Sequence, residues 1–507
     1  MKIIMKKYIE IKKVVFCGLL LFVATNCEDQ LDEINPSAIT QESYFTSVSQ
    51  AEAAINGIYA ALFSFNKNKK VGFEYGTGSY VTLEMLSGHG STLGQSKANQ
   101  TLIDHTAASD EVQFAELWVA FYEGIANANF AINGIPNVEM VESSKNALLG
   151  EAYFLRALYY YYLVRLYVNI PLITSTIDFS SEDLYPSQST TQEVYDLIVS
   201  DLQTAEQSGL PNVDNTGRAS LGAVKSLLAS VYLTMAGSPL NRGAEYYTLA
   251  ASKSKEVLDW YVLFNDYGAL HDRANKNSGE FIFQVNYKFG TQDGGIGGYV
   301  TPDMSQISAT GSEIGALVPI PEFVASYEPG DKRAMEKEFF FTEYPKASNP
   351  GQTVQFLPHL WKFWLVEALG VDGDEKPDLN WTILRLPEVI LIHAEASNEA
   401  NGPSQYAYDK VNLIRTRAEL PDLAGLSKED FKKAIWRERY HELAYENKSY
   451  FDIQRTRKVY NLATGDFENA IGYKNESFTT FTEKYMSWPI PLMEISANPN
   501  LIQNTGW

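Results

Sequence analysis

Cysteine is nearly absent from this 507-residue chain: only Cys17 and Cys27 occur, and none follows residue 27. Disulfide frameworks, cysteine-zinc sites and thiol catalysis are therefore excluded from the body. An excess of basic charge is also missing. Lys and Arg number 41 against 62 Asp and Glu, a formal charge of −21, so counterion release would not drive binding to a phosphate backbone. The chain has no apolar run long enough to span a bilayer, which takes about 20 residues. No low-complexity segment or flexible linker divides it. What remains is an ordinary globular composition, 45% hydrophobic and 20% charged, rich in Tyr (31) and Phe (26). A chain this long can bury a substantial core without staples.

The first 27 residues read as an address. Lys2, Lys6, Lys7, Lys12 and Lys13 precede an uncharged apolar run from Val14 to Thr25, a basic region followed by a short hydrophobic one. The run ends in Val-Ala-Thr-Asn before Cys27 and resembles a bacterial lipoprotein signal, with cleavage before Cys27 and lipidation of its thiol. Removal of residues 1–26, with five lysines and one glutamate, would take the charge from −21 to −25. The mature chain would then open on Glu28, Asp29, Asp32 and Glu33. An acidic stretch at this place resembles the signal that exports lipoproteins to the cell surface in Bacteroidetes.

Helix signals dominate the first half of the body. Ser47 with Gln50 and Thr190 with Glu193 have capping-box spacing. Residues 147–168, including Tyr159 to Tyr162, are apolar almost all round and must be enclosed. Further helices are expected near 112–134, 219–237, 244–259, 386–400, 404–418 and 428–446. They read as tetratricopeptide-like helix pairs without a clean 34-residue period. Residues 280–287 alternate like a strand, with Phe281, Phe283, Val285 and Tyr287 on one face. A Gly-rich loop follows at 290–299, residues 338–381 read as irregular structure with short strands, and 488–507 as an extended docked tail. The domain reading is a signal at 1–26, a helical region at 27–235 and a second region at 236–507, the last two fused into one globule.

Catalytic motifs fail at defining positions. His441-Glu442-Leu443-Ala444-Tyr445 has Tyr445 where a zinc-protease helix needs its second histidine. Gly88-His89-Gly90-Ser91 does not make a nucleophile elbow. The glycines at 294–298 carry no phosphate-loop lysine, and Asp372-Gly373-Asp374 is followed by Pro377 where a calcium loop needs its glycine. Glu438, Glu442 and Glu446, four residues apart, would repel on one helix face unless neutralised. Arg415, Arg417, Arg437, Arg439, Arg455 and Arg457 are near in sequence, so a structural Arg–Glu lattice is expected, with a carboxylate metal ladder as the sharper alternative.

Six segments in order, LGEAYFLRALYYYYLVRLYVNIPLIT (149–174), GRASLGAVKSLLASVYL (217–233), RLPEVILIHAEASNEANG (385–402), VNLIRTRAEL (411–420), AIWRERYHELAYENKSYFDIQRTRK (434–458) and WPIPLMEISANPNLIQNTGW (488–507), resemble the SusD/RagB family of outer-membrane lipoproteins. The resemblance implies a mainly α fold, an α-α superhelix of tetratricopeptide-like pairs with an irregular, loop-rich part containing short strands. It implies a non-enzymatic surface lipoprotein; no cofactor and no metal-ligating residues are expected. Such a protein captures a nutrient, usually a glycan, and delivers it to a SusC-like TonB-dependent transporter. Peptide capture, as in RagB-like members, and a surface glycosidase are the alternatives. Family ligand loops correspond to about 66–95 and 286–303. The expected ligand residues are therefore Asn66, Asn68, Phe73, Tyr75 and Tyr80, with Tyr287, Phe289, Gln292, Asp293 and Tyr299. Trp361, Trp364 and Trp381 form a second aromatic group. Cys27 is the expected lipidation site.

Overall fold

A computed structural model describes residues 41–65, 79–93, 97–176, 184–288, 315–364 and 378–507, with short pieces between 291 and 307. The chain forms two units. Met1–Thr46 is one, of which the described part includes a helical turn at Gln41–Tyr44. Ser47–Trp507 is the other and holds everything below.

The second unit is mainly helical. Its long helices are α1 (Val48–Tyr59), α2 (Gln113–Gly134), α3 (Glu142–Tyr167), α4 (Thr191–Glu206), α5 (Leu221–Ala236), α6 (Ala244–Lys255), α7 (Leu386–Asn401), α8 (Gln405–Arg417), α9 (Lys428–Glu442) and α10 (Ser449–Thr456). Each of the first seven packs on the next, from α1 on α2 to α6 on α7, and α7 then packs on both α8 and α9. This neighbour-on-neighbour order is that of a helical-repeat array, in which each pair buries the face its neighbour exposes.

The helices begin where the sequence supplies caps. Ser47 caps α1, and Thr190 with Glu193 forms the full reciprocal box at α4. Helix α3 is buried along most of its length, as its composition demands. Its tyrosines lie inside because their hydroxyls find acceptors: Tyr160 donates to Ile173 O at 2.9 Å and Tyr161 bonds Thr234 Oγ1 at 2.7 Å. Arg156 grips Asp201 with two bonds of 2.7 and 2.8 Å and Asn129 Oδ1 with a third, tying α3 to α4 and α2.

Among the described residues, four two-stranded antiparallel sheets complete the unit: β1 (Gly90–Ser91) with β3 (Val318–Pro319), β2 (Phe281–Val285) with β6 (Trp381–Arg385), β4 (Phe340–Lys346) with β5 (Asn349–Leu360), and β7 (Lys458–Asn461) with β8 (Asp466–Asn469). Strand β2 forms where the alternation was read, with all five of its residues buried; Gln284 is satisfied inside by Thr382 Oγ1 at 2.8 Å. One reading needs correction. The region read as short strands contains the 12-residue β5. The tail docks as expected: Trp488 N donates to Leu166 O at 2.6 Å, and Asn504 Nδ2 to Tyr167 O at 2.9 Å.

The Arg–Glu lattice is present but wider than its sequence neighbourhood. Helix α9 stops at Glu442, and the chain turns through left-handed Tyr445 (φ 60°), so Glu446 lies beyond the helix rather than on its face. Glu442 accepts from Arg417 at 2.6 Å, Arg385 at 2.7 Å and Arg333 at 3.2 Å. Glu438 accepts from Arg333 and Arg415, and Glu280 from Arg385 and Arg417. Glu446 pairs with Arg385 and Lys362. Burial raises the Glu442 pKa, but Arg417, Arg385 and Arg333 outweigh it and hold the carboxyl well below the usual range. Among the described residues no three His, Cys, Asp or Glu form a metal-holding group, and no helix is long and apolar enough to cross a membrane.

Candidate functional site

Strands β4 and β5 pair with two register shifts and lead into a 3-10 turn, Trp361–Phe363. The turn is pinned from below. Trp361 N and Lys362 N both donate to Phe339 O, at 2.8 and 3.2 Å. The Lys362 side chain points into the lattice, where its Nζ meets Glu446 and the carbonyls of Glu442 and Ala444. Burial pushes this ammonium down to about 8, against the pull of Glu446. With Lys362 held inward, Trp361 is turned out.

Trp361 is partly exposed and sits over a small aromatic core of Phe341, Val354, Trp364 and Ile307, against which Tyr344 and Phe356, also partly exposed, are packed. The Trp361 and Trp364 rings stack at 6.5 Å and 21°. Tyr344 lies 6.4 Å from Trp361 at 39°. Lys337 Nζ is 5.8 Å from the centroids of both Tyr344 and Trp361, and the His271 ring is edge-on to Trp361 at 5.9 Å. On the outer strand surface Gln355 Nε2 donates to Glu343 Oε2 at 2.6 Å. The result is a half-exposed aromatic surface with cationic, amide and carboxylate groups at its margin. Such a surface can stack on an apolar ring face while its polar groups bond hydroxyls.

Contacts along residues 271–276 lead from Trp361 to Tyr287. His271 Nδ1 bonds Trp364 O at 2.8 Å; Arg273 and Lys276 pair with Asp378; and Lys276 Nζ donates to Tyr287 O at 3.0 Å. The Tyr287 ring packs on Phe63 at 5.9 Å, and its backbone N donates to Asn380 Oδ1. Leu93 N bonds Gly315 O at 2.9 Å. Tyr287, from the expected ligand stretch 286–303, therefore adjoins the same region as Trp361.

The individual candidates divide sharply. Tyr287, Trp364 and Trp381 are each only 3% exposed. They are core side chains here and offer no ring face to a ligand, because the hairpin, Phe63 and Phe363 cover them. Trp361 is the member of its group that reaches solvent. Asn66, Asn68, Phe73, Tyr75, Phe289, Gln292, Asp293 and Cys27 lie outside the described residues, as does Asp372-Gly373-Asp374. Tyr80 and Tyr299 lie in the short helices Ser79–Met85 and Ile296–Tyr299. Tyr344, Phe356, Lys337 and His271 were missed. The strand alternation of 340–346 and 349–360 could have found the first two; the last two join only through tertiary structure. His441 is buried and bonds Ser326 Oγ at 3.0 Å, while Tyr445 donates to His89 O, which is how a structural His-Glu-Leu-Ala-Tyr segment behaves.

Residues 336–507 match the model of the SusD family, and residues 29–233 match a model described as starch-binding, associating with the outer membrane. The chain is 38% identical to a SusD superfamily protein of Parabacteroides distasonis, over 90% of this chain and 99% of that one, and superimposes on its crystal structure with a TM-score of 0.86. This chain belongs to the SusD family. A SusD-like protein of Formosa agariphila is 29% identical over 99% of both chains. A laminarin-binding SusD-like protein (23% identity, 91% of this chain and 100% of that one, TM-score 0.74) has the same fold. So does surface glycan-binding protein A of Bacteroides uniformis (18%, 90% and 99%, TM-score 0.74). The helical-repeat order of α1–α9 is thus the SusD architecture, and the aromatic surface around Trp361 lies within the stretch that matches the SusD family model.

Proposed function

We propose that this SusD-family chain is a cell-surface lipoprotein that captures an oligosaccharide or polysaccharide and delivers it, without catalysis, to a SusC-like TonB-dependent transporter. The observation that carries the reading is the half-exposed Trp361–Tyr344–Phe356 surface, margined by Lys337, His271, Glu343 and Gln355. A sugar ring would lie with its C–H face on Trp361 and its hydroxyls toward those polar groups. Residues 66–78 and 289–303, with Phe73, Tyr75, Phe289, Gln292 and Asp293, would supply further contacts. The glycan binders among the structural relatives support a glycan over a peptide. Lipidation at Cys27 would hold the body at the outer membrane, in keeping with the outer-membrane association described for the family model matched by residues 29–233.

The test is calorimetric titration of the full-length protein, purified in detergent, with laminarin, starch and a pool of tryptic peptides, together with chromatography of the sugars after incubation. Saturable binding of a glycan that is recovered uncut supports the reading. Binding confined to the peptides, or the release of shorter sugars, overturns it.

A further inference from the structure

A tight turn within residues 471–481 carries Phe478, at 79% the most exposed large hydrophobic side chain among the described residues. The base of the turn is anchored. Phe481 is buried with Ile453, Val459, Ala470 and Met486, and Tyr473 packs against them. Gly472 N donates to Phe481 O and Phe481 N to Tyr473 O, both at 2.9 Å. The tip is held as firmly: Asn475 N donates to Thr479 O at 3.0 Å, Thr479 N to Asn475 Oδ1 at 2.8 Å, and Phe478 N to Asn475 O at 2.9 Å. Asn475 and Thr479 are buried, so the ring is presented on a fixed turn.

Phe478 breaks two local rules at once. Its backbone is left-handed, φ 62°, a conformation that Gly or Asn adopts cheaply and a bulky residue does not. Its phenyl lies in water and forfeits the burial that draws such side chains inside. Glycine would fold this turn at lower cost. Strain of this kind persists where function uses it.

The chemistry around the ring indicates what it meets. Phe478 is the sole apolar residue of 474–480, among Lys474, Asn475, Glu476, Ser477, Thr479 and Thr480. The core of a protein interface is depleted of charge, whereas a sugar needs an apolar face beside groups that bond its hydroxyls. Lys474 Nζ stands over the ring, 5.1 Å from its centroid. The Trp361 surface has the same pairing: Lys337 Nζ lies 5.8 Å from two rings there, and Lys337 is itself left-handed, φ 65°. Packing joins the two places. The turn closes on Gly88, where a Cβ would stand 2.9 Å from the Phe481 ring and 3.2 Å from Asn475 Nδ2; β1, just beyond, pairs with β3; and β3 packs on β5.

We infer that Phe478 is a second sugar-stacking platform, on which a glycan lays an apolar ring face while the Lys474 ammonium donates to its hydroxyls. The inference rests on the glycan reading above and adds a contact that the Trp361 hairpin does not supply.

The test is calorimetric titration of the full-length protein and its variants with laminarin and starch, beside thermal melting. Phe478→Gly suits the left-handed backbone and removes the ring. It should melt no lower than the parent and bind the glycan about three- to tenfold more weakly. Phe478→Tyr keeps a ring and should bind within about twofold of the parent. A parent that binds neither glycan defeats the functional reading and takes this inference with it. A parent that binds, with equal affinity in Phe478→Gly, defeats this inference alone. A lower melting temperature in Phe478→Gly would make the ring structural and defeat it too, as would an equal loss of affinity in Phe478→Tyr. Intact glycan affinity in Phe478→Gly with loss of a copurifying outer-membrane protein would give the ring to a protein partner instead.

Discussion

The Arg385 guanidinium lies 2.7 Å from Glu442 Oε1, and the two side chains are 2% and 0% exposed. At that burial neither charge tolerates the loss of the other, since an unpaired ion in the interior costs far more than the pair contributes. Glu442 also faces Arg417 and Arg333, so Glu442→Gln leaves three guanidinium groups short of one negative charge. We expect it to destabilise the fold by about 3–5 kcal/mol in urea titration. Glycan affinity, measured below the transition, should be unchanged. Arg457, by contrast, pairs with Glu483 at the surface, where Glu483 is 71% exposed, and Arg457→Ala should change stability by less than about 1 kcal/mol.

The lattice also shows what could be read from the sequence and what could not. Its acidic ladder and its Arg415 and Arg417 were legible, because charges spaced four apart on a helix demand partners; Arg439 and Arg455 pair instead with Glu388, Glu395 and Asp452. Arg333, Arg385 and Lys362 were not legible, since they reach Glu438, Glu442 and Glu446 from 57 to 109 residues away. Arg437 was a false partner; it donates to Gly465 O. The longer helices were legible, as caps and apolar spacing are local signals, though the end of α9 was overrun by the turn at Tyr445 and the short helices Ser79–Met85, Lys97–Ile103 and α10 were not foreseen. The site was the least legible part. Trp361 and Trp364 are chemically identical and three residues apart, and only the burial of Lys362 between them determines which ring faces out.

Gly124 lets α2 pack closely on α3. A Cβ there would stand 2.5 Å from Tyr159 Cε2 and 2.9 Å from Ala61 Cβ. Tyr159 cannot swing aside freely, because it is fully buried and its hydroxyl donates to Ile58 O. Gly124→Ala should therefore force α2 away from α3 and cost about 1–3 kcal/mol, seen as a lower melting temperature with unchanged helical circular dichroism.

Acid should weaken the fold through buried histidines. His359 Nδ1 donates to Leu357 O at 2.7 Å, while Nε2 is buried with no partner among the described residues. Protonation would place an N–H⁺ there, and burial lowers the His359 pKa to about 4. His105 is lowered to about 4 by the same cause. Between pH 6.5 and 4 the unfolded chain thus binds more protons than the folded one, and stability falls as pH falls, by about 1.4 kcal/mol per unit for each fully shifted histidine. Glu116 opposes this: burial raises it to about 8, so its contribution declines as pH rises from 4.5 to 8. His359→Phe isolates one term, and its urea stability should fall less steeply from pH 6.5 to 4.5 than that of the parent.

Membrane attachment rests on a single side chain in the proposed scheme. Cys27 is the only cysteine outside the signal, and 480 residues follow it without another. Cys27→Ala should abolish incorporation of labelled palmitate and release the protein from the outer-membrane fraction, since no described helix can span a bilayer. Retained palmitate label in that variant would place the anchor elsewhere.

The aromatic pair separates binding from stability most directly. Trp361 is partly exposed and Trp364 is buried, yet their rings stack at 6.5 Å. Trp361→Ala removes the ring that faces solvent; it should lower glycan affinity by about tenfold or more, the worth of a stacked ring, with a small change in melting temperature. Trp364→Ala empties a site packed against Phe341 and Tyr344 and should cost about 3–5 kcal/mol of stability. Lys362→Met tests the support beneath both rings. It leaves Trp361 in place but withdraws the charge that Glu446 shares with Arg385. We expect it to weaken both stability and glycan binding. Equal glycan affinity in Trp361→Ala and the parent, measured calorimetrically on folded protein, would move the binding surface away from this hairpin.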